Sequence, residues 1–490
     1  MNYTKKWLSV SADLQENERE TSSVQMQLAP FFNTSAARCQ AGKIGMFRHP
    51  NLQFRVKRAF SACMLACISA CMFTCTGEFA GAPLPTIAAP AATYYVAMTG
   101  SDSNPGTETQ PWRTVAYAVA IMVAGDTTYV RGGTYKEEII RFGKSGTQLA
   151  PIKLRNAPGE SPIIDCIDAS KLHRILIEHP SGPLNPMGWI TVEGFEIRNC
   201  YEGIKIISGH DLTIQRNWIH HSKPGSGILG NGTRVLFDRN IINHNANIEG
   251  CEAGTSPCRP GGHGIYFHGT AVTVTNNIIY DNLTFGIQLN GSTASSTYNP
   301  TTDPGPEYAV SENWLIANNT LAYNRRGAGL VVWGFSCNNA RIENNIFYEN
   351  AATNSDATQG VHFTSTTCTG ARIRNNIFYA SGSGGVLAFG KGALEWVHYT
   401  QSGNIINTMN PRFVNAPATL PAWPNFSLTA GSPAIDAGLS LAITKKAFDG
   451  ILRPQGCAFD IGAYEYTGGD DARPPDGQRH PEKSCHKLDK

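Results

Sequence analysis

From Val192 onward, short runs of apolar residues alternate with single asparagines and glycines, and the alternation repeats. Aligning LTIQRNWIHH, VLFDRNIINHN, VTVTNNIIYDN, WLIANNTLAYN, ARIENNIFYEN and ARIRNNIFYA puts Asn217, Asn240, Asn277, Asn319, Asn345 and Asn376 at one position. VEGFEIRNC at Val192 is a degenerate earlier copy, and SGNIIN around Asn404 a late one. A further apolar run follows each copy, opened by glycine at Gly203, Gly227, Gly264, Gly286, Gly329, Gly360 and Gly385. Within Val272–Thr275 apolar and polar residues alternate with the period of a strand buried on one face. These runs are too short, too β-branched and too often interrupted to be helices. Successive asparagines are 23 to 42 residues apart, so insertions belong to the turns.

A unit of this kind cannot bury its own apolar face and must stack on its neighbours. The pattern therefore predicts an all-β chain wound as a single-stranded right-handed parallel β-helix. Each ladder asparagine is expected to occupy a left-handed corner and to meet its equivalent one coil away. Gly286 is expected to admit an awkward turn. Trp112–Val123 is apolar, rich in alanine and followed by Gly-Asp, which predicts a short helix. It is expected to cap the open first coil, whose strand edges need cover.

Six segments follow. Residues 1–45 form an extension without usable periodicity. Residues 46–92 read as a signal peptide and linker, because Arg48, Arg55, Lys57 and Arg58 precede a short apolar stretch from Ala59 to Cys75. Residues 93–166 hold the cap and first coils, 167–415 the repeats, 416–466 a closing module and 467–490 a Pro- and charge-rich tail expected to be disordered. Export to the medium or the cell surface is expected, with no membrane span in the mature chain; Cys67 and Cys71 follow small residues, as in a lipoprotein box. A net charge of +2 excludes a nucleic-acid footprint, and a monomer is expected. Of 13 cysteines, five precede the ordered part, leaving an even number suited to an oxidising compartment. Cys337 and Cys368 each stand three residues before ARI-x-NN. Strands in register lie ~4.8 Å apart, within reach of a disulfide. Cys251 and Cys258 are expected to staple the insertion CEAGTSPC, while the pairing of Cys166, Cys200, Cys457 and Cys485 stays open.

YYVAMTGSDSNPGTETQPWRTVAYAV and GDTTYVRGGTY resemble the opening module of secreted bacterial β-helix proteins of the pectate-lyase-like superfamily. GSPAIDAG, FDGILRP and CAFDIGAYEY resemble a closing module of the same proteins. Its polar residues, Asp436, Asp449, Arg453, Asp460 and Glu465, are expected to pair and close the last coil rather than to bind an ion or sugar. The resemblance also implies that the strand leaving the glycine turn carries the active face.

Counting two and four residues from each glycine gives two outward rows on that face. The first is Lys205, Leu229, Tyr266, Gln288, Val331, His362 and Leu387; the second is Ile207, Asn231, His268, Asn290, Trp333, Thr364 and Phe389. His263 precedes Gly264 and joins the same patch. Neither row holds a carboxylate, whereas inverting glycoside hydrolysis needs two, ~6.5–9.5 Å apart. The Asn-Thr-Asp and paired-aspartate motifs that accompany GHG in polygalacturonases are missing too. Elimination from a uronate instead needs a base, a group that neutralises the carboxylate and an acid for the leaving oxygen. His268 and Tyr266 are the candidate base and acid, with His263 beside them. Lys205, Asn290 and His362 are expected to neutralise or orient the carboxylate, Gln288 to line the site and Trp333 to stack on a sugar ring. The acidic calcium cluster of pectate lyases is not recognisable, so no metal ligands are assigned and a calcium requirement stays open.

Blander roles are expected elsewhere. His220-His221 and Arg325-Arg326 should be solvated in turns, and Tyr280, Tyr348 and Tyr379, at equivalent positions, should pack. The chain is thus expected to be a secreted carbohydrate-active protein that cleaves an acidic polysaccharide by β-elimination. The alternative is a non-catalytic carbohydrate-binding protein or a cell-surface rod, since a fold does not fix a function.

Overall fold

A computed structural model describes residues 91–468, apart from 167–173, 247–260, 292–303, 309, 326, 335–336, 352–359, 364–367, 380–386, 390–396 and 417–423. Three long sheets carry the architecture. The first has 11 strands, from Thr93–Val96 to Val397–Ser402; the second has 10, from Gly133–Tyr135 to Ile405–Ile406. The third runs from Ile139–Arg141 to Leu387–Phe389. Each coil visits the three in turn, as in Thr273–Thr275, Ile278–Tyr280 and Ile287–Gly291, and neighbouring coils pair in parallel. This is the expected parallel β-helix. Val272, Val274, Ile279, Ile287 and Leu289 are fully buried in the core enclosed by the sheets.

The ladder asparagines form one column inside the coil. Asn277 Nδ2 donates to Asn319 Oδ1 at 3.0 Å and to the Phe237 carbonyl at 2.9 Å, and its Oδ1 accepts from Asn240 Nδ2 and the Asn240 amide at 2.9 and 2.8 Å. The same bonds run from Asn217 through Asn345 and Asn376 to Asn404. The left-handed corner falls one residue earlier than expected. Arg216, Arg239, Asn276, Asn318, Asn344 and Asn375 have φ between 51° and 57°. The preceding residue makes the turn, which aims the ladder amide inward. A second, unanticipated column holds Asn245, Asn282, Asn324 and Asn350, joined by Nδ2–Oδ1 bonds of 2.8–3.0 Å. Its signature, a second asparagine five residues after the first, is visible in four of the copies.

The repeated glycines serve packing rather than turning. A Cβ on Gly264 would stand 2.5 Å from Ile279 Cγ2, and one on Gly227 2.6 Å from Ile242 Cγ2. Neither glycine has a positive φ. The core isoleucine of the second sheet occupies the volume a side chain would need.

The helix predicted near the start is Val115–Ile121, called α1. Thr114 Oγ1 caps its Tyr117 amide, and the buried Glu137 carboxylate accepts from the Val115 and Ala116 amides at 2.7 Å each. Val115, Ala118 and Val119 face the core.

The closing module does not close the last coil. It lies along the outer face of the second sheet. Phe426, Leu428, Ala434, Ile461 and Ala463 cover Ile278, Tyr280, Ile346 and Tyr348. Corner asparagines tie it down: Asn318 Nδ2 donates to the Asp460 carbonyl, Asn344 Nδ2 to the Leu439 carbonyl and Asn375 Nδ2 to the Ala437 carbonyl. Of the five charged residues expected to pair, Arg453 and Glu465 do so, within this strap, while the Asp436, Asp449 and Asp460 carboxylates accept from backbone amides. Arg453, with no exposed side-chain surface, binds Glu465 at 3.1 Å and donates to the Asp460, Gly462 and Ala463 carbonyls. Burial and the Glu465 charge push the Asp460 carboxyl above its ordinary range. Tyr280, Tyr348 and Tyr379 pack under or beside the strap, as their equivalence implied.

Cys337 and Cys368 form the expected disulfide, with Cα atoms 4.8 Å apart. Cys166 and Cys200 bridge two earlier coils in the same way, at 4.9 Å. The signal segment, the Cys251–Cys258 pair, Arg326, Thr364 and the tail beyond Gly468 lie outside the described residues.

His220 is a buried strand residue rather than a solvated turn residue, while His221 sits half-buried at the left-handed corner after it. His220 is 6% exposed, stacks on Trp218 with centroids 4.0 Å apart, and has its Nδ1 2.6 Å from that of His221. The His221 ring lies parallel to His244, whose Nε2 meets Asp281 at 2.9 Å; Arg325 binds the same carboxylate at 2.6 Å. Burial, then repulsion from His221, Arg198 and His244, pushes His220 down to about 3.

Two outcomes are expected. Asn319→Ala strands buried partners in two coils and should cost about 2–4 kcal/mol in urea unfolding; a loss below ~0.5 kcal/mol would deny the ladder a stabilising role. An unfolded chain protonates His220 near pH ~6.5, and the folded chain only near 3. Stability is therefore complete above pH ~6.5 and falls as the pH drops towards 4. His220→Gln should flatten that fall in the urea midpoint, and an unchanged slope would contradict the assignment.

Candidate functional site

The outward face of the third sheet brings most of the anticipated residues into line. The register places Lys205, Leu229, Tyr266, Gln288, Val331 and His362 side by side on successive strands. The last member is Ala388 rather than Leu387, because counting from Gly385 slips by one. In the second row Asn231 pairs with His268 and Asn290 with Trp333. Ile207 leaves that row at a bulge between Ile206 and Gly209, where Asn231 Oδ1 accepts from the Ser208 amide at 2.8 Å. Gly230, at φ 153°, lets the strands close there, since a Cβ would stand 1.9 Å from the Ile206 carbonyl oxygen.

The strand Ile265–His268 shows why these side chains face outward. Ile265 and Phe267 are buried in the core, and Tyr266 and His268 alternate with them, half-buried on the outer face. Two positions along a strand span ~6.6 Å, so phenol and imidazole can flank one sugar ring. Burial, reinforced by the Lys205 charge, pushes His268 down to about 4, while burial raises the Tyr266 phenol above its ordinary value. At neutral pH the pair is an unprotonated imidazole beside a protonated phenol. That is the protonation state a base and an acid require.

His263 is only 5% exposed and belongs behind the site rather than in it. Its Nδ1 lies 2.7 Å from Thr284 Oγ1, its ring is parallel to Phe285 at 5.4 Å, and its edge meets Tyr266 at 5.3 Å. Burial pushes it down to about 3, so it stays neutral and braces the phenol. The sequence reading missed Thr284 and Phe285. Their signal was position: Phe285 precedes Gly286 just as His263 precedes Gly264.

The patch is elongated. Lys205 and His362 stand five strands apart in the register, which is ~24 Å. They cannot serve one carboxylate, as the sequence reading had supposed. Gln288 is buried, Asn290 half-buried with its carbonyl bonded to Ser311 Oγ at 2.8 Å, and Trp333 is 41% exposed at the upper end beside the half-buried His362. Burial also lowers His362. Glu202, near the lower end, is buried and paired with Arg174, so it is not a free carboxylate. Among the described residues no three Asp, Glu, His or Cys side chains gather as metal ligands. The Lys, Tyr, Gln, His and Asn donors of this face do not fit calcium, which takes carboxylate and carbonyl oxygens.

Residues 94–255 match the family described as Pel9A-like, right handed beta helix region. Pectate lyase PEL9 of Emericella nidulans is 47% identical over 76 residues, which is 15% of this chain and 18% of that protein. The uncharacterized protein YwoF of Bacillus subtilis is 43% identical over 70 residues, 14% and 15% of the two chains. The chain thus spans less than a fifth of the length of these curated relatives. Among solved structures, a rhamnogalacturonan lyase is similar at a TM-score of 0.45 and 16% identity, over 69% of this chain and 96% of its own. Pectate lyase Pel9A is similar at 0.43 and 17%, over 76% and 96%. Residues 94–255 are thus similar to a Pel9A-like right-handed β-helix region, and the coils beyond them continue the same three-sheet winding.

Proposed function

We propose that the chain is an exported protein that cleaves a uronate-containing polysaccharide by β-elimination on the outer face of the third sheet. The observation that carries this reading is that Tyr266 and His268 project outward from one strand, two strands from Lys205 in register, where burial favours the neutral imidazole and the protonated phenol. The His268 imidazole takes the proton from the carbon beside the uronate carboxylate. The electron pair left behind forms the carbon–carbon double bond as the bond to the leaving oxygen breaks. Tyr266 gives its proton to that oxygen. Lys205, with Asn290, offsets the charge that builds on the carboxylate. Gln288 lines the floor, and Trp333 with His362 holds a neighbouring ring. We also read α1 as the cover of the first coil.

The test is to incubate the protein with polygalacturonate, rhamnogalacturonan and alginate and to follow the ultraviolet absorbance of new unsaturated ends. His268→Ala should lower kcat/KM at least ~10²-fold. Tight binding with no product in the unaltered protein would favour a non-catalytic glycan-binding role.

The pH profile is a separate check. A base near 4 and an acid raised above the usual phenol range predict flat kcat/KM through neutrality, with an acid limb near pH 4. Lys205→Met removes the charge that helps hold His268 down, so its acid limb should move upward. A limb that stays in place would remove Lys205 from the site.

A further inference from the structure

A second polar surface lies on the first sheet, on a different face of the coil. Tyr129 and Arg155 are neighbours in register there, and Glu193 follows Arg155 on the next strand. With Asn156, Gly194 and Arg216 they line a groove of about 620 Å³, a size typical of small-ligand sites. Glu193, nearly buried, holds two arginines: Arg155 Nε at 3.0 Å and Arg216 Nη1 at 3.6 Å. Beyond these ion pairs, neither guanidinium has a hydrogen-bond partner among the described residues, and the Arg155 contact is not aligned as a hydrogen bond. Each guanidinium carries five N–H donors, so the groove presents many and satisfies few. Two cations share one carboxylate, and the nearby Glu160 is engaged by the Gly132 amide and by Arg131. With Glu160 the lining holds two arginines and two carboxylates, so what the groove offers an anion is the unsatisfied guanidinium N–H groups rather than a net positive charge.

The floor is kept open by backbone. Gly194, at φ 83°, has no side chain, and a Cβ there would stand 2.0 Å from Asn156 Oδ1. Asn156 is itself fixed by a bond from Nδ2 to the Glu160 carbonyl at 2.9 Å. One wall is aromatic. Tyr129 is half-buried and stands 5.7 Å from Tyr95, whose ring carries the Arg131 guanidinium at 5.8 Å.

We infer that this groove is a second, non-catalytic binding site for an acidic saccharide, with a uronate carboxylate on Arg155 and Arg216 and a sugar ring on Tyr129. A planar guanidinium matches a carboxylate in two-point geometry, and a rigid aromatic face suits the apolar side of a sugar. The site shares a ligand class with the third-sheet face but does not depend on elimination occurring there.

The experiment is calorimetric titration of the His268→Ala protein, which removes turnover, with tetragalacturonate. Two bound ligands per chain are expected. Adding Arg216→Ala should leave one and weaken the lost site ~10-fold or more. Tyr129→Leu, which leaves the ion pairs alone, should do the same. Binding at the groove should weaken with salt, and neutral cellotetraose should not occupy it. If the third-sheet reading fails and the groove is real, one ligand binds and Arg216→Ala abolishes it. The inference is overturned if folded Arg216→Ala and Tyr129→Leu proteins, judged by an unchanged urea midpoint, keep the full stoichiometry. Absence of tetragalacturonate binding, or equal binding of cellotetraose, overturns it as well.

Discussion

A buried amide side chain is tolerable only when its donors and acceptor are all bonded, and this fold meets that demand by stacking. Asn277 is fully buried, and both its oxygen and its nitrogen are engaged by the coils on either side. Each asparagine in the column can be satisfied only if the next coil arrives at the same register. The bonds are therefore worth more as a register device than as stability, since a net bond contributes only about 1 kcal/mol. Slipping one coil by a residue would strand several buried polar groups at once, at about 1–3 kcal/mol each. Two such columns flank the second sheet, and the apolar core layers between them are held in line.

Register is also what creates the two candidate ligand surfaces. The outward positions of a strand acquire chemistry only from the strands above and below. Tyr266 and His268 are ordinary polar residues on one short strand until the stack puts Gln288 above them, and until the Lys205 charge reaches His268 from below. The same rule builds the arginine groove on the first sheet, where Tyr129, Arg155 and Glu193 come from three successive strands. Stacking sets the scale as well. One strand step is ~4.8 Å, so groups two steps apart can share a sugar ring and groups five steps apart must serve different rings.

The second sheet is used differently. Its outer face carries Ile278, Ile346 and Tyr348, too apolar to leave in water, and the strap formed by the chain's last described residues covers them. The strap is anchored through Asn318, Asn344 and Asn375, the left-handed corner residues next to the ladder. Those corners thus turn the chain and also offer their side chains outward as docking points.

The winding of the coil is legible in the chain alone. Periodic asparagines, β-branched runs and glycines are local signals, and each reports a geometric demand that recurs in every turn: an inward amide, a strand, a place with no room for a Cβ. The Cys337–Cys368 bridge and most of the Lys205–His362 row followed from that repetition alone. Three-dimensional packing set whatever depends on contacts that do not repeat. It placed the closing module on a flank instead of an end, because apolar outward positions such as Ile346 look the same in sequence as inward ones. It buried His220 and His263, since exposure depends on neighbours contributed by other coils and loops. It also separated Lys205 from His362 by five strands, a distance that residue types cannot report and only the count of stacked coils supplies.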